Sequence, residues 1–294
     1  MIKYTITDLE KITGIKAHTL RIWEKRYQII TPNRTPSNAR YYLDEDVKKI
    51  LNISTLKKFG LKISEIIKMD SREINKKVLE LSSSISNYDS QINNLFVSMI
   101  EFHRDNFEKI VSNSILKIGF EDTFIKILFP LLDKIGILWQ VGSIIPAQEH
   151  FISNLIRQKL IIAIDAQNDA PKSNAKTFLL FLPSDEWHEL GLLFYYYLLK
   201  KDGHEVLYLG QSTPFEDLIK TQTIKNADFI FTHLVTRTVP YKACEYIKNL
   251  SQTFPSKTIF ISGKRACEEV IDIPENIIIV KDMMKFKEIL HHYI

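Results

Sequence analysis

Three patterns predict a multidomain α and α/β chain. Residues 1–75 hold two short amphipathic helices joined at a glycine, then a turn-rich hairpin carrying Arg and aromatic residues. Residues 76–170 are glycine-poor, with apolar residues at three- and four-residue spacing, and residues 171–294 alternate apolar strand-like runs with helical stretches. In order, these are the signatures of a winged helix-turn-helix, a helical bundle and a flavodoxin-like (Rossmann-like) parallel sheet. The length, 294 residues, suits such a division better than a single core.

Composition sets the outer limits. Hydrophobic residues at 45% and charged residues at 25% are those of a soluble globular protein, and no apolar run approaches the roughly 18–20 residues of a membrane span. The first residues lack the pattern of a secretory signal, and Cys244 and Cys267 cannot build a disulfide framework, so a cytoplasmic protein with no membrane partner is expected. The net charge of +4 divides unevenly: residues 1–74 hold ten Lys and five Arg against nine Asp and Glu, a surplus of +6, so residues 75–294 sum to −2. Phosphate neutralisation by Lys and Arg supplies most non-specific nucleic-acid affinity, which places a docking surface for double-stranded DNA at the front of the chain.

The first helix is expected from Ile6, Leu9 and Ile12, capped by Thr5 or Thr7 and ended at Gly14. The second runs from about Lys16 to Tyr27, with Leu20 and Trp23 inward and His18, Thr19, Arg21, Lys25 and Arg26 outward. Residues 31–42 then form the hairpin, Asp44, Glu45 and Asp46 cap a helix through Phe59, and Gly60 to Ile66 begins another. Thr19-Leu20-Arg21-Ile22-Trp23-Glu24-Lys25-Arg26-Tyr27, Arg40-Tyr41-Tyr42, Asp44-Glu45-Asp46-Val47 and Gly60-Leu61-Lys62-Ile63-Ser64-Glu65-Ile66 together resemble the MerR family over residues 3–69. That resemblance implies that Thr19, Arg21 and Arg26 meet an operator's groove and phosphates while Arg34, Arg40 and Tyr41 brace its backbone. The chain departs from the family at the wing tip, where Asn38 and Ala39 stand in place of a glycine.

In the bundle, Ile92, Leu95, Phe96 and Met99 form one stripe, Ile110, Ile115 and Ile118 fall on others, and Phe124, Ile127, Leu128, Leu131, Ile135 and Leu138 form a long one. Ser82 to Asn87 is the most linker-like piece. Trp139 ends a helix, Gly142 breaks it and Pro146 starts the next, so Glu149 and His150 lie in a first helical turn.

The five strand runs of the last segment are Thr177–Leu182, Glu205–Leu209, Phe229–Phe231, Thr258–Ile261 and Ile277–Val280. A G-x-G-x-x-G dinucleotide fingerprint is missing, which argues against a nicotinamide or flavin enzyme. After the first strand comes Ser184-Asp185-Glu186-Trp187-His188-Glu189-Leu190-Gly191, at the mouth of the ligand crevice of such a sheet. A neutral imidazole suits a cobalt-type metal, and a carboxylate two residues earlier can fix its tautomer. The plainer alternatives are a loop histidine and a solvent-exposed Glu186.

The loop resembles the D/E-x-H-x-x-G signature of cobalamin-binding domains. By that resemblance His188 is the lower axial ligand of the cobalt of cobalamin, Glu186 its partner, and Gly191 the point where backbone passes closely. Trp139, nine residues, then Glu149-His150 resembles the W-x9-E-H motif of cobalamin-responsive, light-sensing MerR regulators of the CarH and LitR kind; the plain alternative is a core Trp beside a capping Glu. Thr232-His233-Leu234 resembles an S-x-L element lining the tunnel for the cobalamin nucleotide, with Thr232 and Leu234 as its contacts, and Ser262-Gly263 stands where two glycines are usual. Gln140 stands where such photoreceptors often have His. The whole implies a non-enzymatic transcriptional repressor, a homo-oligomer (dimer or tetramer), controlled by adenosylcobalamin and light. The alternative is a ligand-independent MerR-type regulator whose C-terminal domains mediate protein interaction. A corrinoid methyltransferase subunit leaves residues 3–69 unexplained, and a metal-sensing regulator lacks its Cys cluster.

Overall fold

The computed structural model describes residues 3–82, 88–140, 144–167, 172–235, 243–269, 273–281 and 283–293. They fall into two compact units, residues 1–152 and 153–294.

Helix α1 (Ile6–Thr13) starts where Thr5 and Asp8 cap each other, the Asp8 amide donating to Thr5 Oγ1 at 3.2 Å and the Thr5 amide to Asp8 Oδ2 at 2.7 Å. Gly14 closes it through a backbone bond to Glu10, whose side chain accepts the Ala17 amide at 3.1 Å and so caps α2 (Ala17–Tyr27). Leu20 and Trp23 are buried as expected. The wing is a two-stranded antiparallel ribbon, β1 (Asn33–Arg34) with β2 (Arg40–Tyr41). At its tip Asn38 stands at φ 64°, and Asn is one of the few residues that tolerates the left-handed region. The fold is completed by α3 (Asp44–Lys58), α4 (Ile63–Ile66) and α5 (Ser71–Ser82).

The helical part follows without leaving this unit: α6 (Tyr88–Ile100), α7 (Arg104–Ile118), α8 (Phe120–Thr123), one π-helical turn (Phe124–Leu128), α9 (Phe129–Gln140) and the start of α10 (Pro146–Asp165). Helix α3 packs on both α5 and α6, and Lys48 pairs with Glu101 just beyond α6. The stripes on α6 and α9 are buried. On α7 the expectation shifts by one face: Phe107, Val111 and Ser114 are buried, whereas Ile110, Ile115 and Ile118 are half-buried. Ser114 explains the shift, since its hydroxyl pairs with Gln91 of α6 and brings its own face inward. Of the linker expectation, residues 83–87 lie outside the described residues, as does Gly142.

The second unit is a five-stranded parallel sheet in the order β4-β3-β5-β6-β7, made of β3 (Thr177–Pro183), β4 (Glu205–Thr213), β5 (Phe229–His233), β6 (Thr258–Ser262) and β7 (Ile277–Val280). Helices α11 (Leu190–Lys201), α12 (Phe215–Lys225), α13 (Ala243–Thr253), α14 (Lys264–Glu269) and α15 (Phe286–Tyr293) connect and flank the strands. This is the flavodoxin-like strand order, in which strands are added first to one side of β3 and then to the other, and the switch between β3 and β5 opens a crevice there. One sheet face buries the stacked rings of Phe178, Phe229, Phe231 and Phe260 under Tyr195 and Phe286; the other buries Leu179, Phe181, Ile230 and Ile261 under α13.

Candidate functional site

The loop between β3 and α11 lies at that switch point. Glu186 turns inward and is only 1% exposed, so its carboxylate needs partners for every lone pair it brings out of water. It has them: the amides of Trp187, His188 and Val235 donate to it at 3.0, 3.1 and 3.0 Å, and His188 Nδ1 lies 2.7 Å from Oε1. A carboxylate that already takes three N–H groups acts as acceptor, so the ring donates from Nδ1 and the lone pair sits on Nε2. The ring itself is 60% exposed. A buried carboxylate that orients an outward imidazole is the arrangement that prepares a histidine to bind a metal. It excludes the reading of Glu186 as an exposed surface residue.

Glu189, the next buried carboxylate, fixes the other end of the loop. It accepts from Tyr208 Oη of β4 at 2.7 Å and pairs with Arg157 of α10, and burial beside it pushes the Tyr208 phenol well above its usual range.

Gly191 has a different reason from the one expected. A Cβ there would lie 2.5 Å from Nε2 of His233, so the glycine makes room for an imidazole rather than for backbone. Gly263, at φ 98°, does make room for backbone: a Cβ would fall 2.3 Å from the Leu234 carbonyl. Strand alternation separates the three residues at the end of β5. Leu234 joins the core under α13, Thr232 is fully buried, and the residue between them, His233, points toward Gly191. His233 is the register partner of Ser262, with Nδ1 2.7 Å from its buried hydroxyl. Burial holds the His233 imidazolium down at about 4, opposed by Glu186 and reinforced by His188, so the ring is neutral near pH 7. His233 was the residue sequence reasoning missed. Counting alternate positions from Phe229 and Phe231 identifies it.

In the first unit, Trp139 is 46% exposed at the end of α9 while its neighbour Leu138 is buried. Gln148 reaches back to the Ile145 amide at 3.3 Å and caps α10, leaving Glu149 to pair with the exposed His150 at 2.7 Å. Trp139 is therefore not a core residue.

On the DNA-binding elements, Arg21 and Arg26 are exposed on α2 and Thr19 is half-buried, its hydroxyl 3.3 Å from His18 Nε2. The half-exposed Ile22, which the sequence reading did not single out, shares the outward surface. Arg34 bonds Asn38 Oδ1 at 2.7 Å and locks the wing tip, Arg40 lies 3.7 Å from Glu24, and Tyr41 lies under the Lys3 ammonium at 4.7 Å. Arg21, Lys25 and Arg40 line a groove between α2 and the wing.

Residues 4–73 match the profile of the MerR HTH family regulatory proteins, and residues 91–163 match that of a B12 binding domain. The chain is a MerR-type regulator with a B12-binding domain. It is 27% identical over 233 residues to the HTH-type transcriptional repressor CarH of Myxococcus xanthus, covering 77% of each chain. To the HTH-type transcriptional repressor CarA of the same organism it is 28% identical over 267 residues, 90% of this chain and 88% of the relative. Among solved structures, the monomethylamine corrinoid protein of Methanosarcina barkeri superposes with a TM-score of 0.54 at 12% identity, covering 71% of this chain and all of that one, a likeness of fold. Among the described residues no helix is long and apolar enough to cross a membrane, and no three His, Cys, Asp or Glu side chains are grouped to hold a metal ion by themselves.

Proposed function

We propose that this MerR-type regulator is a cytoplasmic repressor, a homo-oligomer that responds to adenosylcobalamin and, through it, to light. One observation carries the reading: behind a MerR-type helix-turn-helix, a buried Glu186 holds Nδ1 of an outward-facing His188 at the switch point of a parallel sheet. That donor set fits cobalamin, because an axial position asks for a single neutral imidazole rather than a cage of ligands. When bound, cobalamin would supply a cobalt–carbon bond that light can cleave. His188 would bind the metal through Nε2, and Glu186 would hold the proton on Nδ1. Trp139, Glu149 and His150 are assigned to the same cofactor on their motif and their exposure. Thr19, Arg21 and Arg26 are assigned to the operator's groove and phosphates, and Arg34, Arg40 and Tyr41 to its backbone. The domain limits 1–75, 76–170 and 171–294 belong to the same proposal.

The test is a titration of the apoprotein with adenosylcobalamin in darkness, followed by a gel shift on the protein's own promoter in apo, dark and illuminated samples. The His188→Ala variant is expected to change the bound spectrum or weaken binding at least about tenfold. Identical shifts in all three samples would favour a ligand-independent regulator instead.

A further inference from the structure

The chain's own His233 ring enters the crevice beside His188. His233 ends β5 with Nδ1 on the Ser262 hydroxyl at 2.7 Å, and its Nε2 lies so close to Gly191 that a Cβ there would be 2.5 Å away. Tyr195 of α11 stands beside it, ring centroids 6.5 Å apart. The space between the start of α11 and the ends of β5 and β6 thus holds an imidazole, seated on a glycine and anchored by a serine that is itself 1% exposed. A flat macrocycle presented to His188 needs only the exposed rim. A substituent hanging from the ring face that meets His188 needs the space behind the rim, which His233 takes. Swinging the ring out would also strip a buried serine of its partner, so the closed position is favoured.

We propose that His233, held by Ser262 and seated on Gly191, is a specificity residue that closes the crevice to a pendant nucleotide, so that this chain takes corrinoids by their ring and favours those lacking the nucleotide arm. The inference rests on the reading of His188 as axial ligand. A nucleotide that cannot enter the crevice stays on the same ring face as His188 and competes with it, whereas a corrinoid without the arm meets no competitor.

The deciding experiment titrates the full-length protein in darkness with adenosylcobalamin and with adenosylcobinamide, which share ring and upper group and differ in the nucleotide arm. Absorbance changes give both affinities. The wild type is expected to bind adenosylcobinamide at least as tightly as adenosylcobalamin. His233→Ala and, separately, Ser262→Gly are each expected to raise adenosylcobalamin affinity about tenfold and to change that for adenosylcobinamide less than about threefold. A wild-type preference for adenosylcobalamin of about tenfold or more overturns the proposal, and so does an affinity ratio that neither variant moves. If neither corrinoid binds the wild type, the axial-ligand reading falls first. Should both variants fail to fold, the wild-type comparison alone decides.

Discussion

Glu186 carries more of the site than its neighbour His188 does, because three amides and an imidazole converge on one buried carboxylate. Replacing an acceptor oxygen by an NH2 group turns part of that set against itself. Glu186→Gln is expected to cost about 2–3 kcal/mol in urea unfolding, within the range for hydrogen bonds to charged groups, and an unshifted midpoint would deny the network this weight. Gly191 and His233 form a second testable pair. Gly191→Ala sets a methyl against the His233 ring and is expected to destabilise by about 1–3 kcal/mol; in a His233→Ala background most of that cost should vanish, a coupling that a double-mutant cycle reads directly. Additive costs would mean the two side chains do not meet. The His233 ring also makes a pH prediction. Its folded pKa, about 4, lies below the ordinary 6.5, so the unfolded chain takes up the proton first and stability falls as pH drops from about 6.5 to about 4. Burial is the main cause, and the two titratable neighbours work in opposite senses, Glu186 raising the value and His188 lowering it. His233→Gln should flatten this part of the stability profile, and a superimposable profile would remove His233 from the titration.

At the level of elements, the signals that were legible in the sequence were local ones. Thr5 and Gly14 mark α1 because capping needs only neighbours in the chain, and Thr5→Ala is expected to cost about 1 kcal/mol in thermal or urea unfolding. The strand runs were legible for the same reason: those of β3, β5 and β6 are buried on both faces and need no alternation, while the edge strands β4 and β7 are half-buried but still continuous apolar runs. What could not be read depends on partners far along the chain. Nothing near Glu186 announces that Val235, 49 residues later, will donate to it. The face of α7 is decided by Ser114 meeting Gln91 on another helix, and the turn of Asn38 by a wing tip that needs a left-handed residue of some kind. The end of β5 was a different case. There the motif drew attention to Thr232 and Leu234, whereas the period of two, present in the sequence throughout, sets His233 on the opposite face, toward Gly191.

For the whole molecule, a basic front and a corrinoid-binding body make a regulator only if the two equilibria are linked. Each can first be disturbed alone. Arg26→Ala and Arg40→Ala should each reduce the dependence of log K for DNA on log salt by about 0.9 if the residue neutralises one phosphate, and should leave the adenosylcobalamin titration of the free protein unmoved. Linkage then has a stricter requirement. If adenosylcobalamin tightens operator binding by some factor, saturating operator must tighten adenosylcobalamin binding by the same factor, since both routes lead to one ternary state. The expected factor is about 5 to 150, the usual range of such couplings, and it should appear equally in gel shifts with saturating cofactor and in absorbance titrations with saturating operator. His188→Ala, which removes the contact proposed to distinguish the loaded state, should bring both factors toward one together. A wild-type factor of one in both directions would leave two competent units with nothing passing between them, and cobalamin control of this regulator would have to be given up.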